Sequence, residues 1–299
     1  YSISLGPVRV SGGGGRLGPS VTSEFPDLPA DAPRFSVISR IAEGGQKTVF
    51  KVTSPEFGEC VMKVIRSSSE EAIRRAAREL HAAFQLTSPR FPRTHWNGWV
   101  RYQGSLCLAI VEEYIRGITL RVLLEECGRL NLDYTRWLGH EILCSLQEIH
   151  ALKIVHRDIK PENIMIADGS MGVVILDLGI ARHLGLESVT NDLAMIGPLT
   201  VGYAAPEQIL NRKRSISART DLFSWGVVMY ESVTGANPFI IDACGPSDIL
   251  DRTLHMHPKA LDIGGSPLGA AVRLCMQKQP HLRPPSAAEV ARILREVTK

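Results

Sequence analysis

No segment of this 299-residue chain is suited to cross a bilayer as a helix. The longest run without a charged side chain, Leu193 to Pro206, has 14 residues and is interrupted by glycine and proline, whereas a spanning helix needs about 20 apolar residues. A marked excess of one charge is also missing, since 34 Lys+Arg against 31 Asp+Glu leave +3. A dedicated nucleic-acid binder concentrates basic charge, so no nucleic-acid partner is expected. Cysteine is sparse and unorganised: Cys60, Cys107, Cys127, Cys144, Cys244 and Cys275 form no C-x-x-C pair and no cluster with histidine. That excludes a zinc ribbon or disulfide framework and fits a cytoplasmic protein, or the cytosolic domain of a larger one. No signal-peptide pattern stands at the start, and the first residue, Tyr1, leaves a larger parent protein open. What is present is ordinary for a globular chain, 44% hydrophobic and 22% charged, enough for one large domain or two small ones.

Residues 1–33 differ from the rest. Gly12 to Gly15 are consecutive, and Pro7, Pro19, Pro26, Pro29 and Pro33 recur, a composition that reads as a flexible arm or linker. From Arg34 the pattern becomes β-rich: Phe35 to Ile41, Thr48 to Thr53 and Cys60 to Ile65, punctuated by Gly44-Gly45, Pro55 and Gly58, predict antiparallel strands. Ser67-Ser68-Ser69 followed by Glu70 and Glu71 predicts a helix start, and Ile73, Ala76, Ala77, Leu80, Ala83 and Phe84 share a face at helical spacing. A further strand is expected over Leu106 to Tyr114, then helices over Leu120 to Cys127 and Tyr134 to Leu152. Strands with one helix, followed by mostly helices, predict an α+β chain with a small N-terminal lobe (34–114) and a larger helical one (115–299).

The segment that carries chemistry is Ile154 to Met165, I-V-H-R-D-I-K-P-E-N-I-M, followed by V-V-I-L-D-L-G-I-A from Val173 to Ala181. Phosphoryl transfer asks for a carboxylate to orient an attacking hydroxyl, oxygen ligands for a hard cation, and positive charge on the phosphates. Asp158, Asn163 and Asp177 are residues of that kind. The pattern resembles the catalytic loop H-R-D-x-K-x-x-N and the metal-binding D-F-G of protein kinases, the latter as Asp177-Leu178-Gly179. Cys60-Val61-Met62-Lys63 resembles the strand ending in the phosphate-binding lysine, and Glu79 matches its ion-pair partner. Ala205-Pro206-Glu207 matches A-P-E, Asp221 to Gly226 looks like the buried aspartate and its helix, and Arg283 matches the arginine pairing with the A-P-E glutamate.

The resemblance implies a bilobal protein-kinase-like fold, ATP and Mg²⁺ as cofactors with Mn²⁺ as a substitute, and a protein or peptide substrate with a Ser/Thr acceptor. Asp158 would accept the hydroxyl proton, Lys160 would offset γ-phosphate charge, Asn163 and Asp177 would hold metal, and Glu79 would hold Lys63 toward the phosphates. Adenine would lie between Val49 and Val61 above and aliphatic side chains of the larger lobe below, with hinge hydrogen bonds from Glu113 to Ile115, and Ile41 and Gly44 of the glycine-rich loop would also contact the nucleotide. His156 is read as structural. Lys160 and Thr200 point to the serine/threonine class, and the wording I-V-E-E-Y-I-R-G-I-T-L is closest to bacterial members. Arg157, beside the catalytic aspartate, implies an activation loop, here about Ile180 to Thr200, phosphorylated at Ser188 or Thr190, with a homodimer acting in trans as a compatible arrangement.

Three features depart from the family pattern. The glycine-rich loop reads Ala42, Gly44, Lys47, so only the middle glycine remains, and Lys47 is expected to be an exposed side chain. Val61 replaces the alanine that usually lies over adenine. Glu112 falls at the gatekeeper position, where an unpaired buried carboxylate is costly; either it pairs with Lys63 or another cation, or the register is displaced by one. Pairing with Lys63 would compete with Glu79 and favour an inactive state. The departures keep two alternatives in view: a pseudokinase or scaffold that signals by binding, and the kinase domain of a larger peptide-modifying enzyme.

Overall fold

The computed structural model describes residues 25–44, 47–66, 86–169, 172–178 and 202–295. The expected helix over Ile73 to Phe84, with Glu79, and the segment carrying Ser188, Thr190 and Thr200 lie outside the described residues.

Alternating β-branched and polar residues build an antiparallel sheet from β1 (Ser36–Glu43), β2 (Lys47–Ser54), β3 (Gly58–Ile65), β4 (Thr94–Tyr102) and β5 (Ser105–Glu113), in the order β1-β2-β3-β5-β4. Strand β4 was not anticipated from the sequence. Its local signal is Gln103-Gly104, which joins it to β5 with both residues at positive φ, 49° and 75°, the backbone of a two-residue hairpin turn. Strand periodicity sends Phe50, Val52, Cys60, Met62, Val64, Cys107, Ala109 and Val111 to one face, where they form a closed apolar cluster with Val100 and Tyr102.

Part of the expected arm belongs to this lobe. Asp27 exchanges two backbone hydrogen bonds with Arg101 of β4, at 2.8 and 3.2 Å, and Phe25 meets Phe50 edge-on at 5.9 Å. Leu28 and Phe35 pack on the same cluster. The chain from Phe25 onward therefore caps the sheet's outer face and protects its β4 edge, because apolar side chains interrupt the Pro-rich stretch.

The second lobe follows a short crossing at Tyr114 to Arg116. It comprises α1 (Leu120–Cys127), α2 (Leu132–Ala151), α3 (Pro206–Ile209), α4 (Ala218–Thr234), α5 (Pro246–His255), α6 (Pro267–Cys275) and α7 (Ala287–Arg295), with a small sheet β6 (Gly117–Thr119), β7 (Ile164–Ala167), β8 (Val173–Ile175). The Asn131 side chain caps α2 through the Tyr134 N–H at 2.8 Å, and Thr119 caps α1 through the Val122 N–H. Leu138, Ile142, Leu146 and Ile149 recur along one stripe of α2 and pack into the core with Leu222, Trp225 and Met229 of α4 and Val290 and Leu294 of α7. Among the described residues, no helix is long and apolar enough to cross a membrane.

The α2–α4 crossing is close because Gly139 lacks a side chain. Its carbonyl accepts the Trp225 indole N–H at 3.0 Å, and a Cβ there would lie 2.8 Å from Met229 Sδ and 3.2 Å from the Trp225 ring. Gly139→Ala is expected to destabilise the domain by about 1–3 kcal/mol, the usual cost of overpacking. Urea denaturation checks this, and a midpoint equal to the parent's would show that Met229 moves aside freely.

Candidate active site

The sheet register decides which side chains share the face turned away from the Phe50–Val111 cluster. Opposed residues run Lys51–Val61–Glu112, Val49–Lys63–Ile110 and Lys47–Ile65–Leu108 across β2, β3 and β5. Since opposed residues point the same way, Lys47, Val49, Val61, Lys63 and Glu112 fall on one face. Val49 and Val61 are half-buried there, leaving an apolar surface suited to a flat aromatic base, while Ile41 is exposed at a register irregularity of β1 between Arg40 and Ala42. The Gly44 N–H bonds to the Lys47 carbonyl at 2.8 Å, which ties the two sides of the turn between β1 and β2.

Glu112 is in register and is paired. It is buried and forms an ion pair with buried Lys63, so the alternative of a displaced register falls away. Lys63 Nζ also lies 2.7 Å from Asp177 Oδ1, while Lys47 Nζ lies 2.5 Å from Asp177 Oδ2. Lys47 is thus not the solvated side chain expected: strand alternation turns it toward Asp177, and the half-buried carboxylate attracts it. Burial alone would lower the Lys63 pKa, but the Asp177 and Glu112 carboxylates override this and hold it above the ordinary lysine range. Burial likewise would raise the Asp177 pKa, and Lys63 and Lys47 override it, holding that carboxyl well below the usual range.

The catalytic-type loop is suspended from α4. The fully buried Asp221 carboxylate accepts the backbone N–H groups of His156 at 2.9 Å and Arg157 at 2.8 Å, and lies 2.8 Å from His150 Nε2. These bonds hold Arg157 at φ 64°, a left-handed conformation uncommon for a non-glycine residue. His156 accepts the Asp158 N–H on Nδ1 at 3.2 Å and donates from Nε2 to the Leu176 carbonyl at 3.0 Å. Burial pulls its pKa down, so the ring is neutral and bridges the loop to the strand end before Asp177. That geometry agrees with a structural rather than a proton-transferring histidine.

Beyond His156, Asn163 Nδ2 donates to the Asp158 backbone carbonyl at 2.8 Å and to Asp158 Oδ2 at 2.9 Å, and Lys160 Nζ lies 3.2 Å from the same oxygen. The amide thereby turns its own oxygen, Oδ1, away from Asp158. A backbone bond of 2.8 Å from Leu176 N–H to the Asn163 carbonyl places Asn163 beside the strand that delivers Asp177, itself at φ 56°. An amide oxygen and a carboxylate are hard ligands that fit Mg²⁺ or Mn²⁺. Among the described residues there is no group of three or more His, Cys, Asp or Glu able to hold an ion.

In the segment expected as a hinge, the Glu113 N–H is taken by the Arg93 carbonyl at 2.8 Å and the Tyr114 N–H by the Glu59 carbonyl at 3.4 Å. Of the three N–H groups from Glu113 to Ile115, that of Ile115 has no acceptor among the described residues.

Two further networks anchor the loop. Arg283 forms a bidentate pair with Glu207, 2.7 and 2.9 Å, wholly buried, and the neighbouring Gln208 side chain donates to the Arg157 carbonyl at 2.8 Å. Arg121 binds Glu162 of the loop and Glu231 of α4, both at 2.9 Å, and the Tyr203 hydroxyl at 2.6 Å. Sequence reasoning missed the Arg121 network because its members are separated by up to 110 residues and no local pattern marks them.

A sequence model of the protein kinase domain matches residues 35–290. Among curated proteins, the chain is 28% identical over 280 residues to a probable serine/threonine-protein kinase of Clostridium perfringens, covering 89% of this chain and 38% of that protein. It is 31% identical over 274 residues to the probable serine/threonine-protein kinase PkwA of Thermomonospora curvata, covering 90% and 35%. It is 34% identical over 214 residues to the serine/threonine-protein kinase PknA of Mycobacterium tuberculosis, covering 70% and 48%. The chain spans about a third of the length of the first of these curated relatives and of several others. Among solved structures, the Mycobacterium tuberculosis PknI kinase domain superposes with a TM-score of 0.66 at 22% identity, over 87% of this chain and 94% of that one, a likeness of fold.

Proposed function

We propose, from the premise that this chain belongs to the protein kinase domain family and is related to bacterial serine/threonine kinases, that it transfers the ATP γ-phosphoryl group to Ser or Thr hydroxyls of a protein or peptide. The observation that carries the reading is the Asp158 carboxylate held by Asn163 and Lys160, on a loop joined through His156 and Leu176 to Asp177 and its lysines. In this reading the acceptor oxygen bonds to the γ-phosphorus as the bond to the β,γ-bridging oxygen breaks, and the hydroxyl proton passes to Asp158. Lys160 offsets charge on the transferring group, and Lys63 binds the phosphates nearer the base. Asn163 and Asp177 would hold the divalent cation, which when bound neutralises phosphate charge. The base would lie on Ile41, Val49 and Val61, beside the Ile115 N–H.

The scaffold alternative expects decay of polar groups that packing does not need. Lys63, Asp158, Lys160, Asn163 and Asp177 are all present and mutually arranged, which supports catalysis instead. Incubation with labelled ATP, Mg²⁺ and a generic basic protein should give label on Ser or Thr, abolished by EDTA and restored by Mg²⁺ or Mn²⁺. Absence of label on both acceptor and enzyme would favour the scaffold. Peptide mapping of the labelled enzyme tests autophosphorylation at Ser188 or Thr190, and a rate that rises with the square of enzyme concentration would mark transfer in trans.

A further inference from the structure

We infer that Lys47 is a second phosphate-anchoring cation of the nucleotide site, acting beside Lys63; the inference rests on the kinase reading of that site. Its position is fixed by a strand rather than by the turn before it. Lys47 begins β2, two residues ahead of Val49, which lies opposite Lys63 in the β2–β3 register. The two ammonium groups engage opposite oxygens of one carboxylate, Lys63 on Asp177 Oδ1 and Lys47 on Oδ2.

The two lysines differ in what else holds them. Lys63 is buried and also paired to the buried Glu112, so part of its field is already spent on a carboxylate of the protein. Lys47 has Asp177 as its carboxylate partner among the described residues, and its side chain keeps 30% of its surface exposed. If a divalent cation takes the Asp177 oxygens, both lysines lose that partner. Lys63 still has Glu112, whereas among the described residues Lys47 forms no second ion pair. The triphosphate that would arrive with the cation supplies the missing anion, and the four-carbon stem of lysine lets the ammonium shift toward it without moving the strand. Lysine in place of a loop glycine thus adds a charge where Glu112 has reduced the effect of another.

The charge argument also separates an anchor from an obstruction. An anchor strengthens binding of phosphates and leaves the base alone; a lysine that merely occupies the metal ligand would weaken metal–nucleotide binding. Calorimetric titration of the chain with MgADP and with adenosine distinguishes the two, using Lys47→Ala and Lys47→Arg after thermal melts show both folded as the parent. The expected result is MgADP affinity lower by about 10- to 100-fold in Lys47→Ala, the loss of one charge-assisted contact. Adenosine affinity should be unchanged and Lys47→Arg should fall within about threefold of the parent, since guanidinium also binds phosphate. MgADP bound by Lys47→Ala as tightly as by the parent, or more tightly, overturns the inference while leaving the kinase reading intact. A parent that binds neither adenosine nor MgADP overturns both.

Discussion

Asp158→Asn lowers kcat by at least about 10²-fold, the scale of a lost general base, with little change in the ATP KM. The substitution preserves shape, and an asparagine oxygen can still accept from Asn163 Nδ2 and Lys160, which lie 2.9 and 3.2 Å from Asp158 Oδ2. What disappears is the negative charge and the ability to take a proton. The backbone bonds that position the loop, from His156 and Arg157 to Asp221, do not involve the Asp158 side chain, so the thermal midpoint should match the parent's. Steady-state kinetics on a peptide acceptor, read together with a melt, separates lost chemistry from lost structure. Turnover near the parent's in a folded variant would remove Asp158 from its role.

Arg283→Ala should produce the largest loss of stability. The Glu207–Arg283 pair is bidentate and buried, and deleting one partner of such a pair leaves a desolvated charge, a cost of about 3–5 kcal/mol. Among the described residues, the Glu207 carboxylate would keep only the Thr220 hydroxyl, at 2.9 Å. The carbonyls of Gln277, Lys278 and Arg219, all bonded to the guanidinium, would also lose a donor. Against a usual domain stability of about 5–15 kcal/mol, much of the margin is gone, and a thermal midpoint lower by on the order of 10 °C follows. The double substitution Glu207→Gln/Arg283→Met should recover part of the loss, because neither side then holds an unpaired buried charge. A double variant no more stable than Arg283→Ala would show that the carbonyl contacts, not the ion pair, carry the effect.

Much of this site was legible in the chain because its chemistry is written in short segments. Asp158, Lys160 and Asn163 lie within one loop, and their close spacing lets them meet once Asp221 has fixed the backbone before them. Strands β2, β3 and β5 were readable from β-branched alternation. Strand β4 was not, since Thr94 to Tyr102 carries two tryptophans and an internal glycine in place of that alternation; Gly98 is there because a Cβ would strike the Trp96 ring at 2.4 Å. Phe25 and Leu28 were masked by the prolines around them, although they complete the outer apolar cluster.

Taken alone, the order of residues determined the chemical types at the site and the α+β layering, while the pairing of Arg283 with Glu207 came through the resemblance to protein kinases. It left Glu112 between two readings and placed Lys47 in solvent. Only the tertiary structure decided both, because the register of β3 against β5, which brings Lys63 to Glu112 49 residues away, determines which side chains share a face. The carboxylate that draws Lys47 inward lies 130 residues further along the chain. Period-two geometry says that alternate residues face together; which neighbours they then meet depends on the pairing of distant strands.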